Sequence, residues 1–62
     1  MRDQQDERVR KLRHDISNPL AAILAETQLL LIRQGELDEE TVTSLKEIEA
    51  LARRMRGILQ AE

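Results

Sequence analysis

Cysteine is absent and histidine occurs once, so neither a disulfide nor a structural metal site can hold this chain together. Phenylalanine, tyrosine and tryptophan are also absent. That removes the bulkiest core side chains and the aromatic platforms on which nucleic-acid bases stack. Neither sign of charge dominates: ten Lys and Arg stand against twelve Asp and Glu, for a net charge of −2. With no basic block, no nucleic-acid partner is expected. No apolar run approaches the roughly 18 residues of a membrane span, and the polar start is unlike a signal peptide. No membrane contact is expected of these residues. Proline occurs once and glycine twice, which makes the position of each one informative.

What is present favours helix. The chain is 62 residues long, 40% hydrophobic and 35% charged, and rich in Leu, Ala, Glu, Arg and Gln, all good helix formers. Val9, Leu12, Ile16, Ile23 and Leu30 fall on a and d positions of a heptad frame, widened by Leu20 and Leu24. The pattern predicts a helix from about Asp6 to Arg33, with Asp6–Arg10 and Glu7–Lys11 as acid-first pairs four apart. Gly35 is expected to end it in a left-handed conformation. A turn over about 34–38 then leads to an N-cap at Asp38, with Leu37 and Val42 spaced as a hydrophobic staple.

Leu45, Ile48, Ala52, Met55 and Leu59 repeat at threes and fours, giving a second helix from about Glu39 to Leu59. Arg53, Arg54 and Arg56 are expected near its C-terminal end, with Gly57 as a point of fraying. So short a connection makes the helices antiparallel neighbours. The fold class is all-α, one domain over residues 1–62. Each stripe is wider than one helix can cover, and 62 residues bury too little apolar surface to stand comfortably alone. Two hairpins are therefore expected to join as a homodimeric four-helix bundle.

One segment departs from this plan. His14-Asp15-Ile16-Ser17-Asn18-Pro19-Leu20 sets a proline inside the first helix, where it costs about 3 kcal/mol and leaves the Asp15 carbonyl without its donor. Departures of this kind mark functional or strained sites. At about 100° per residue, His14 projects away from the Leu12–Ile16 seam, and Asn18 follows one turn along within about 40°. Ala21, Ala25, Gln28 and Ile32 continue that face, and the two alanines leave room for another protein to approach. An exposed imidazole is largely neutral at physiological pH, so one ring nitrogen can act as a nucleophile. Asp15 is placed to fix the tautomer and take up the other nitrogen's proton as general base. Asn18 can orient a water or a phosphoryl oxygen, and Pro19 is a candidate hinge.

Singly, each of these residues has an ordinary reading: a solvated histidine, a surface acid, an amide bonding locally before a proline, a packing kink. Together they resemble the H-box of sensor histidine kinases, within the dimerisation and histidine-phosphotransfer domain often called HisKA. That pattern is His, an acid, an aliphatic residue, a variable and often basic residue, Asn or Thr, then Pro-Leu. Ser17 stands at the often basic position. The resemblance runs from about Val9 to Leu59.

The resemblance implies that His14 is the residue phosphorylated from ATP, Asp15 the acid assisting proton removal, and Asn18 the residue aligning water when a partner regulator is dephosphorylated. It also implies that the Ala21, Ala25 and Glu26 neighbourhood, with Gln28 on the same face, selects a response-regulator receiver domain. No glycine-rich lid or nucleotide-binding box occurs in these residues. ATP and Mg²⁺ are therefore expected on a separate catalytic domain, with no cofactor bound here. This chain would then be an excised cytoplasmic domain of an ATP-dependent protein kinase, whose parent can be membrane-anchored. The alternatives left open are a stand-alone phosphotransfer relay protein and a purely structural helical dimerisation module.

Overall fold

The computed structural model describes residues 4–61. The expected domain limits at Met1 and Glu62 lie outside them. Helix α1 (Gln4–Ile32) passes through a 3-10 turn at Gln34–Glu36 into helix α2 (Glu39–Gln60). Pairing across the hairpin runs in opposite directions along the two helices. Gln28 meets Glu49, Leu20 and Leu24 cluster with Ala52, and Ser17 and Asn18 share a groove with Arg56 and Gln60. The helices are antiparallel, in a rod of 54 × 15 × 12 Å.

The turn differs from expectation. Gly35 does not adopt a left-handed conformation, since no described glycine has positive φ. Instead α1 tightens into i→i+3 bonding, with Arg33 N–H donating to the Leu30 carbonyl at 3.0 Å and Glu36 N–H to the Arg33 carbonyl at 2.9 Å. Tightening the last turn satisfies helix-end carbonyls without a residue of positive φ. Arg33 also pairs with Glu36 across this turn at 3.3 Å.

The start of α2 is as expected. The Asp38 side chain accepts from the Thr41 N–H at 2.9 Å, and its carbonyl accepts from Val42 N–H at 3.0 Å. One otherwise unpaired helix-start donor is thereby satisfied, with Leu37 and Val42 half-buried beside it. At the other end, Gly57 does not fray the helix, which continues to Gln60. The tertiary contact of Leu59 with the core outweighs the propensity loss of one glycine, about 1 kcal/mol. Because α2 extends past Gly57, Arg53, Arg54 and Arg56 sit before its last turn, which holds no basic residue. Arg53 pairs back to Glu49 at 3.2 Å.

The seam within the hairpin is narrow. Leu20, Leu24 and Ala52 are its buried apolar residues, joined by Thr27, whose hydroxyl donates to the Ile23 carbonyl at 2.7 Å. Most of the heptad residues lie elsewhere: Val9, Leu12, Ile23 and Leu30 on α1 and Ile48 and Met55 on α2 remain 43–59% exposed. The cause is angular. Ile23 stands about 100° from Leu24 on the helix wheel, so a partner packed on Leu24 leaves Ile23 uncovered. Leu51 and Ile58 extend the same open face on α2.

Candidate functional site

The candidate site sits on the outer face of α1, near the end of the hairpin opposite the turn. His14 and Asp15 are exposed at 74% and 53% of their side chains. His14 Nδ1 faces Asp15 Oδ1 at 3.8 Å, longer than a hydrogen bond but a small rotation from one. The other carboxylate oxygen, Oδ2, accepts from Lys11 Nζ at 2.9 Å. That hydrogen bond with Lys11, aided by the Lys11 and His14 charges, holds the Asp15 carboxyl below the ordinary range of an aspartic acid, against a smaller opposing effect of desolvation. At neutral pH the exposed imidazole therefore stands beside a carboxylate, with Nδ1 on the side of Asp15.

Asn18 lies one turn on, exposed, and its amide makes no hydrogen bond among the described residues. Pro19 is exposed inside α1, which continues unbroken on both sides of it. Ala21, Ala25 and Glu26 are exposed. Gln28 is only half-buried and turned inward, donating from Nε2 to Glu49 Oε2 at 3.3 Å. Of the residues read as a partner surface, it alone is engaged across the hairpin.

Two features of the site go beyond the sequence expectations. Lys11, paired there with Glu7, serves Asp15, and its i,i+4 spacing to Asp15 was a usable signal. The second is a groove of about 270 Å³ between the helices, lined by Ser17, Asn18, Leu20, Ala21, Leu24, Arg56 and Gln60. Nothing in the linear pattern joins positions nearly forty residues apart. Among the described residues no group of three or more His, Cys, Asp or Glu is gathered to hold a metal ion, and no helix is long and apolar enough to cross a membrane.

An all-helical hairpin that presents an imidazole beside a carboxylate on its outer face, and leaves a long apolar face open, has the form of a helical phosphotransfer module. Residues 4–61 match the His Kinase A (phospho-acceptor) domain, and the chain belongs to that family, HisKA. Membership gives it a phosphoacceptor and dimerisation role within histidine kinases, which are enzymes of two-component signalling. No curated protein and no solved structure matches the chain.

Proposed function

We propose that His14 is the phosphoacceptor, that ATP and Mg²⁺ are presented by a separate catalytic domain, and that the phosphoryl group passes from His14 to an aspartate of a response-regulator receiver domain. The observation that carries this reading is the His14–Asp15 pair: Nδ1 faces a carboxylate on a histidine whose side chain is 74% exposed. The Nε2 lone pair attacks the γ-phosphorus, the N–P bond forms, the bond to the bridging oxygen breaks, and ADP leaves. Asp15 accepts the Nδ1 hydrogen bond as the ring gains positive charge, stabilising that charge and standing as the general base for the Nδ1 proton. Mg²⁺ on the nucleotide would spread the charge of the leaving phosphate.

Dimerisation follows from the open apolar face. Ile23, Ile48, Leu51 and Met55, each about half exposed, form a continuous surface beside a seam whose buried apolar side chains among the described residues are Leu20, Leu24 and Ala52. A second hairpin on this face gives a four-helix bundle and completes a core that one chain lacks. His14 stays on the outside, where a receiver domain can approach over Asn18, Ala21, Ala25 and Glu26. Asn18, with its amide uncommitted, is suited to align a water on that partner's phosphoryl group. Pro19 is the hinge through which α1 would bend on signalling.

The test is incorporation of acid-labile, base-stable phosphate when the chain is mixed with a histidine-kinase catalytic domain and Mg·ATP. Labelling lost in His14→Gln, with helicity retained, is the expected result. Undiminished labelling of His14→Gln would overturn the assignment.

A further inference from the structure

The groove between the helices has a polar side with no acid on it. Its walls carry Ser17 and Asn18 from α1 and Arg56 and Gln60 from α2, over a floor of Leu20, Ala21 and Leu24. Arg56 is the one charged residue of that lining, and among the described residues it has no ion pair or hydrogen bond. By contrast Arg53, one turn earlier, is already committed to Glu49. Helix α2 ends at Gln60, so the groove's outer end is flanked by helix-terminal carbonyls of partial negative charge. Arg56 is the cation placed to offset them.

We propose that Arg56, with the Ser17 hydroxyl and the Asn18 amide across the groove, forms an anion subsite for the phosphoryl group carried on His14. The inference rests on the assignment of His14 above. Asn18 lies one turn from His14 on nearly the same side of α1, and Ser17 lies between that side and the groove. A phosphoryl group on Nε2 can thus swing down the helix toward three donors contributed by two helices. About 270 Å³ admits its oxygens with several waters at about 30 Å³ each. A guanidinium presents two parallel N–H groups to such oxygens, which a lysine ammonium does not. Arg56 is a positioning residue here: it lowers the proton affinity of the phosphoryl group and biases where it points, while the reacting bonds remain on His14.

The experiment loads His14 chemically with potassium phosphoramidate, which transfers its phosphoryl group to an imidazole nitrogen and releases ammonia. Loading by this route does not depend on a kinase domain, so the readout on Arg56 is separate from the outcome for the kinase reading. The phosphohistidine ³¹P resonance is then titrated with pH in the wild-type chain, Arg56→Ala, Arg56→Lys and Arg54→Ala, with helicity checked in each. The proton affinity of the phosphoryl group is expected to rise about 1.5- to 5-fold in Arg56→Ala, the range an exposed ion pair supports. Partial recovery is expected in Arg56→Lys, and none of this change in Arg54→Ala, whose position does not line the groove. Identical titrations in wild type and a folded Arg56→Ala, or an equal shift in Arg54→Ala, would overturn the proposal.

Discussion

Asp15 divides its two oxygens between two neighbours: Lys11 Nζ holds Oδ2 at 2.9 Å, and His14 Nδ1 faces Oδ1 at 3.8 Å. The lysine hydrogen bond favours the ionised carboxylate and draws one of its oxygens along the helix, away from His14. Replacing Lys11 by Gln removes the largest cause of the lowered Asp15 pKa, which should move back up toward the ordinary aspartate value. Carbon-detected NMR titration of the Asp15 carboxyl group checks this. A folded-state pKa held low contributes stability above the unfolded value that is lost as pH falls through the folded one. Lys11→Gln should therefore flatten the acid limb of the stability curve, and an unchanged limb would show that the pair adds nothing measurable.

The exposed apolar face makes a sharper demand. Ile23 on α1 and Ile48 on α2 are 51% and 43% exposed in the single hairpin, so a charge at either should be tolerated by an isolated chain. In a two-fold dimer each substitution enters twice. Ile23→Asp and Ile48→Asp should each weaken association by at least about tenfold, or about 1.4 kcal/mol, by sedimentation equilibrium. Thermal stability should fall and become independent of protein concentration. Undisturbed dimers in both variants would place the interface elsewhere.

Asp38 offers a clean pH test. Its side chain accepts from the Thr41 N–H, and that bond holds its pKa below the ordinary value. The resulting stability is present above the unfolded pKa and disappears as pH falls through the folded one. Asn is an equally good cap that does not titrate. Asp38→Asn should thus match wild type at pH 7 and lose less stability on acidification to pH 3, whereas Asp38→Ala should be less stable at pH 7. Helicity followed in urea at the two pH values distinguishes them.

Gly57 lies inside α2, and apart from its chain neighbours and the helix's own backbone nothing comes within 4 Å of where a side chain would begin. Gly57→Ala should stabilise the chain by about 1 kcal/mol, the helix-propensity difference alone. A denaturant melt that moved the other way would mean that another surface packs there.

Periodicity made both helices legible, and the Asp38 cap with them, because these depend on residues within one or two turns of each other. The site's exposed pair was legible for the same reason: His14 and Asp15 are neighbours, and the wheel places Asn18 beside them. The division of the apolar stripe was not, since whether Leu24 or Ile23 faces α2 depends on a rotation of about 100° that the heptad frame leaves free. Thr27 was missed at the seam because its hydroxyl is satisfied by the Ile23 carbonyl, which lets a polar residue behave as a core one. Gly35 was misread because a 3-10 turn closes α1 without positive φ. The Arg56 groove rests on contacts between distant positions, which no local pattern encodes.

Pro19 tests whether the cost inside α1 has a use. The residue is exposed, so alanine loses little packing there, and it restores the N–H that the Asp15 carbonyl would accept. If strain were the whole story, Pro19→Ala should raise stability by up to about 3 kcal/mol and leave His14 chemistry untouched. If Pro19 is the hinge proposed here, a second change must accompany the first. Slowed amide hydrogen exchange at Asp15 to Leu20 should coincide with an altered rate of His14 phosphorylation by a catalytic domain supplied with Mg·ATP. The rate should change without a matching change in dimer affinity, because the substitution stiffens the turn bearing His14 and not the face bearing Ile23. A stabilised Pro19→Ala chain that is phosphorylated at the wild-type rate would reduce the proline to a local irregularity.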